Sequence, residues 1–262
     1  MSEQSLYHNV VGKLWKMRHK IISTQDIKKI VGHFDDSEIS DAKIYKLSYH
    51  LRNKGHILTL KKNHFLVTSP NDIPSSDEII AKYYRDMLKK HCQTYIQWGW
   101  YIGGMKALEF ALQQYDIPES IDVVTTHKNA CEIIIFDKSV CYKTYNHNKT
   151  NLFSHIKKYI TTIKIGKYSF PCASLELALL ESLHNPSAMH ATLIYEYAKK
   201  ILRKYKKALK REHIDKIVNG NKHHVWLNRL YYLSKTIDTA TADKILSIIK
   251  KHSFLMQQSA VF

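Results

Sequence analysis

Lys43, Lys46, Tyr49, His50 and Asn53 fall on one side of a single helical stretch, and Lys61, Lys62 and His64 follow in a short hairpin. Lysine ammonium groups neutralise phosphates, while tyrosine, histidine and asparagine side chains hydrogen-bond to base edges. The chemistry these residues suit is noncovalent recognition of a duplex polyanion. The same residues also fit a plainer reading, a solvated lysine face on a module used only for protein contacts.

Other candidate chemistry is less complete. Gly103-Gly104 stands ahead of a helical segment, and Asp122 follows in a strand. Nucleotidyltransferases use such a glycine pair with two carboxylates on alternate strand residues that hold Mg²⁺ against a triphosphate. Here Val123 and Val124 follow Asp122, so the second carboxylate is missing. The glycines are read instead as a tight turn with close packing. A nuclease built on Glu119, Asp122, Glu132 and Lys138 would need a carboxylate and a lysine on alternate positions. Asp137 and Lys138 are adjacent and diverge. None of the sixteen histidines lies in a metal-ligand spacing, and no Ser or Cys has a nucleophile setting. No metal and no cofactor are expected.

A third set of charges is denser. Lys199, Lys200, Arg203, Lys204, Lys206, Lys207, Lys210 and Arg211 place eight cations in thirteen residues. Ile201, Leu202, Tyr205 and Leu209 give that segment an apolar side, so an amphipathic basic helix is expected. It fits a nucleic acid, RNA included, or another anionic partner.

The elements that must position the first set are readable. Ser23 to Ile30 opens a short helix, and Val31-Gly32-His33 breaks it. Ser40 caps a second helix to Arg52, which Asn53-Lys54-Gly55 stops. Ile44, Leu47, Ser48 and Leu51 recur at i, i+3, i+4 and i+7 and face inward. Strands are expected at 56–60 and 64–68, with Ile57 and Thr59, and Phe65 and Val67, alternating against their neighbours. With a preceding helix over 6–18, this predicts a winged helix-turn-helix in residues 1–70.

Ser69 to Asp77 reads as a linker. Beyond it, residues 78–262 form a second region. An α/β part spans 78–171, with a helix from Asp77 to Cys92, another from Met105 to Tyr115, and strands near 121–125, 132–136, 139–144, 160–165 and 168–170. A helical part spans 173–262, with helices at 175–183, 187–211, 221–235 and 241–251. The expected class is α+β.

The chain has 262 residues and a net charge of +17. Residues 1–70 carry +6, residues 71–150 carry −1 and residues 151–262 carry +12. That balance favours a polyanionic partner. Cys92, Cys131, Cys141 and Cys172 form no CxxC pair and read as reduced thiols. With no apolar leader and no run of 18 apolar residues, a cytoplasmic protein with no membrane contact is expected.

The order of four segments resembles the AbiEi family of antitoxins and transcriptional regulators from bacterial phage-defence modules. These are the N-terminal winged helix, Tyr101 to Leu108, Ile121 to Thr125, and Ala173 to Glu181. The Ser-x-Glu-x-Ala-Leu-Leu-Glu stretch from Ser174 to Glu181 carries it most sharply. The resemblance implies an N-terminal domain that binds inverted repeats at its own promoter. It implies a C-terminal domain that counteracts a nucleotidyltransferase toxin, without a stable complex being required. It implies a non-enzymatic repressor. Two alternatives stay open: a divergent metal-dependent nucleotidyltransferase or nuclease using Asp122 and Glu132, and a partner-binding module that does not touch DNA.

Overall fold

Ser23 ends one strand and begins one helix. Its Oγ accepts the Asp26 N–H (3.2 Å), and the Asp26 carboxylate accepts the Ser23 N–H (2.8 Å) and hydroxyl (2.7 Å). This reciprocal cap satisfies two donors that a helix start otherwise leaves open. The computed structural model that shows it describes residues 3–34, 39–96, 99–126, 131–144, 152–184, 191–221, 225–254 and 256.

The chain begins with α1 (Glu3–Trp15), β1 (Ile21–Ser23), α2 (Thr24–Gly32), α3 (Asp41–Asn53), β2 (Ile57–Lys61) and β3 (His64–Val67). It continues with α4 (Ser76–His91), a π-helical turn (Cys92–Ile96), β4 (Trp100–Ile102), α5 (Gly104–Ala111), β5 (Ser120–Thr125), β6 (Ile133–Ile135) and β7 (Lys138–Thr144). Then come α6 (Leu152–Lys157), β8 (Ile160–Ile165), β9 (Tyr168–Ala173), α7 (Leu175–His184), α8 (Ala191–Tyr205), α9 (Arg211–Asn221), α10 (Val225–Lys235) and α11 (Thr239–Lys251). The strands form a three-stranded sheet, β1-β3-β2, and a six-stranded sheet, β6-β7-β5-β4-β9-β8. The fold is α+β. No helix of the described residues is long and apolar enough to cross a membrane.

Two compact units divide the chain, one of residues 1–85 with 134–137, the other of residues 86–133 with 138–262. In the first unit, Val10, Leu14, Ile27, Ile44, Leu51 and Ile57 are all essentially inaccessible to solvent and pack as one core. Each aliphatic side chain so buried contributes about 1.5–3 kcal/mol. β1 pairs antiparallel with β3, matching Ile22 to Phe65, and β3 pairs antiparallel with β2. β1 is too short to register as a hydrophobic period, and sequence reasoning passed over it. The expected inward pairing of Ile57 with Thr59 does not hold. Ile57 is buried and Thr59 exposed although their register with Val67 and Phe65 is regular, and the register shift between Thr59 and Lys61 brings Leu60 to the buried side.

In the second unit, β4 runs antiparallel to β5 and parallel to β9, β5 runs parallel to β7, and β8 with β9 forms a hairpin. α5 and α7 pack together, and α10 packs on both α7 and α11. Of the helix expected over 187–211, residues 187–190 lie outside the described residues, and α8 covers only 191–205. α8 stops at Tyr205, whose carbonyl accepts the N–H groups of Ala208 (2.8 Å) and Leu209 (3.1 Å) in the turn that follows. The buried Glu176 carboxylate then accepts the Lys210 N–H (2.9 Å), and α9 starts at Arg211. The apolar spacing runs through the break unchanged, because Leu209 follows Tyr205 at a helical interval. Only the distant carboxylate marks it.

Candidate nucleic-acid interface

α3 is positioned from both ends. The Ser40 Oγ accepts the Lys43 N–H (3.3 Å) at its start. At its end the Gly55 backbone has φ +74°, and a Cβ there would lie 3.3 Å from the Pro70 backbone. Both facts call for glycine. Ile44 and Leu51 anchor the inner face, with Leu47 and Ser48 half-buried beside them. Lys28 Nζ meets Asp41 Oδ1 at 3.0 Å and ties α2 to the first turn of α3. This pair is exposed, so it adds at most about 1 kcal/mol.

The outer face carries Lys46, Tyr49, His50 and Asn53, all exposed, while Lys43 is half-buried at the edge of the face. The Arg52 guanidinium lies 5.5 Å above the Tyr49 ring, a cation–π distance, and His50 meets the same ring edge-on. Arg52 and Tyr45 belong to this face and were not singled out from sequence. Tyr45 is 76% exposed, the largest exposure among the large hydrophobic side chains of the described residues. The signal was present: Ala42, Tyr45, Tyr49 and Arg52 recur at i, i+3, i+7 and i+10, which is one helical stripe.

In the β2–β3 hairpin, Lys62 is exposed and Lys61 and His64 are half-exposed. Asn63 takes φ +62°, and its carbonyl accepts the Thr24 N–H (3.0 Å) at the start of α2. His64 Nδ1 lies 3.1 Å from the Lys62 carbonyl. Hairpin tip, α2 start and α3 are thus braced within one unit.

The second basic set is placed differently from its expected helix. Lys199, Lys200, Arg203 and Lys204 sit on α8, Lys206, Lys207 and Lys210 in the turn, and Arg211 at the start of α9. Several are engaged locally. Lys199 meets Glu196 (2.9 Å) and Lys206 meets Asp238 (3.4 Å), while Lys200 and Lys204 lie over the rings of Tyr197 and Tyr205. The adjoining hollow is lined by Lys210, Arg211, Glu212 and Asp215, so its charge is balanced.

The glycine pair lies in the second unit, and its surroundings are tight. A Cβ on Gly103 would fall 2.6 Å from Glu181 Oε2 and 2.7 Å from Val124 Cγ2, and Gly104 has φ +54°. Glu181 Oε2 accepts the Gly104 N–H (3.1 Å), and its Oε1 accepts the Tyr101 hydroxyl. A second carboxylate thus arrives beside the glycines from α7, almost eighty residues on, where no local pattern could announce it. Asp122 is engaged by Lys143 (2.6 Å), and Glu119 by Lys138 (2.7 Å). Glu176, at the other end of the same α7 motif, also takes the Ser174 hydroxyl (3.2 Å) and lies 3.7 Å from His213 Nδ1. Both motif glutamates therefore serve as internal ties. Among the described residues, no group of three or more His, Cys, Asp or Glu side chains is placed to hold a metal ion.

No protein-family model matches the chain, and neither does any curated protein. A crystal structure of the Rv2827c protein from Mycobacterium tuberculosis superposes with a TM-score of 0.58 at 12% identity, covering 94% of this chain and 81% of that one. At that identity the likeness concerns the fold, and the chain shares the α+β arrangement of that protein.

Proposed function

We propose that this chain is a DNA-binding transcriptional repressor with antitoxin activity, and that its first unit is a winged helix-turn-helix with α3 as the reading helix. The observation that carries this reading is the exposed outer face of α3, with Lys46, Tyr49, His50, Arg52 and Asn53, in one unit with the Lys61-Lys62 hairpin. The order α1-β1-α2-α3-β2-β3, with β1 closing the sheet on β3, supports it. In this reading α3 enters the major groove and the hairpin rests on the backbone.

The AbiEi resemblance suggests the rest. The operator is an inverted repeat at the chain's own promoter, the counteracted protein is a nucleotidyltransferase toxin, and the setting is the cytoplasm. The chain itself is not an enzyme in this account. The engagement of Asp122 by Lys143, and of Glu181 by Tyr101 and Gly104, supports that view. The cations of 199–211 that are not taken up locally form a secondary polyanion surface, RNA being one candidate.

The test is affinity for a duplex spanning the region upstream of the gene. Lys43→Ala with Lys46→Ala weakens binding by about tenfold or more at moderate salt if both reach phosphates. An unchanged affinity removes α3 from the interface. Co-expression with the adjacent gene product tests the antitoxin part: growth is restored only by an intact chain.

A further inference from the structure

We infer that Tyr45, flanked along one stripe of α3 by Ala42 and Tyr49, reads the 5-methyl groups of thymine in the major groove, so that the operator half-site carries A·T pairs opposite this stripe. The inference rests on the DNA-binding reading above and deepens it.

The stripe is chemically unlike the rest of the exposed face. Lys46, His50 and Asn53 offer charge and hydrogen bonds. Ala42, Tyr45 and Tyr49 offer a methyl and two rings. Tyr45 is 76% exposed and Tyr49 46%, so neither is needed to fill the core. An aromatic ring left this open gains only when something apolar covers it. In a major groove the one apolar group on a base edge is the thymine methyl.

Position along the helix points the same way. Reading helices present their N-terminal residues to base edges. Ala42 and Tyr45 are the second and fifth residues of α3, which starts at Asp41. Tyr49 comes a turn later with Arg52 over its ring, which places a cation where the helix meets the phosphates. The occupant is a duplex and not a second protein surface, because Arg52 ends the stripe, Lys46 and His50 flank it, and the Asp41 carboxylate one turn before Tyr45 is paired with Lys28 (3.0 Å). Three basic side chains beside an aromatic patch complement a polyanion with a methyl-bearing groove and would repel a second copy of themselves.

The experiment uses the full chain and duplexes recovered by selection from a random-sequence library. Each thymine in the recovered site is replaced in turn by deoxyuridine, which removes the methyl and nothing else. The wild-type chain is expected to lose about fourfold in affinity at one or two positions, the worth of one buried carbon. Tyr45→Ala is expected to bind the parent site more weakly and to be indifferent to the same replacements. Its melting temperature and salt dependence stay as in the wild type. Tyr45→Phe keeps the sensitivity. A silent deoxyuridine scan on the wild type overturns this inference and leaves the DNA-binding reading standing if Lys43→Ala with Lys46→Ala still weakens binding. Undiminished sensitivity in Tyr45→Ala also overturns it, as does a change of oligomeric state with unchanged discrimination. Recovery of no duplex at all sinks both readings together.

Discussion

The charges on α3 and the carboxylates of α7 are used in opposite ways. On α3, Lys46, His50, Arg52 and Asn53 stand in solvent on a helix held by Ile44 and Leu51 beneath. On α7, Glu176 and Glu181 turn inward and accept hydrogen bonds from Lys210 N, Gly104 N and Tyr101 Oη. Glu176 is buried and Glu181 half-buried, and a carboxylate withdrawn from water must be satisfied, so both become structural ties. An exposed basic face costs little to keep, because solvent reaches its charges. Residue type alone does not tell an exposed charge from an internal tie; burial does.

The contrast can be broken most severely beneath α3. Leu51→Ala removes a side chain with no solvent exposure from the first unit's core and is expected to cost about 2–5 kcal/mol, with loss of duplex binding. Thermal unfolding with a binding assay checks this, and a variant that melts like the wild type contradicts the packing described. Next is Gly103→Ala, which forces a methyl against Glu181 and Val124 and is expected to cost about 1–3 kcal/mol, while duplex affinity stays near wild type. A fall in affinity at a temperature where the variant is folded would show that the glycine pair belongs to the interface after all.

Acid sharpens the comparison further. The Ser23 backbone N–H, then its hydroxyl, hold the Asp26 carboxyl below its ordinary value. Burial beside Tyr7 holds His56 below its ordinary 6.5. Both folded values are depressed, so both contributions are complete above the ordinary values and are lost as pH falls through the folded ones. His56 is expected to titrate below 6.5 by proton NMR, and the first unit to lose stability on acidification from there downward. A His56 midpoint above 6.5 reverses the sign and contradicts the half-buried, neutral ring.

The smallest effect is kinetic. Burial, reinforced by the Glu181 carboxylate, pushes the Cys172 thiol up to about 12, whereas Cys131 is exposed. Alkylation at pH 8 is expected to label Cys131 quickly and Cys172 slowly. Equal rates would mean that the interior around Glu181 opens readily.

Much of this was legible where local chemistry decides. Ser40 and Gly55 announce the ends of α3, and Ile44 and Leu51 its inner face. Ser69 to Asp77 reads as irregular chain, and α4 follows it from Ser76 to His91. Long-range decisions were not legible. β1 exists because Ile22 finds Phe65, the break after Tyr205 is sealed by Glu176, and the tightness at Gly103 comes from Glu181. α9 was passed over although Ile214, Ile217 and Val218 carry a helical period; the helix expected before it ended at Arg211, where α9 begins. Tyr45 was overlooked although Tyr49, one turn on, reads as outward-facing, and its 76% exposure is visible only in the structure.

The salt dependence of duplex binding tests the central claim most directly. Plotting log affinity against log salt for the wild type and for Lys43→Ala with Lys46→Ala, the account predicts a steep negative slope that becomes shallower by about 2 in the variant, one unit for each phosphate contact removed. A slope identical in the two proteins, or a wild-type chain that no duplex retains at low salt, contradicts it.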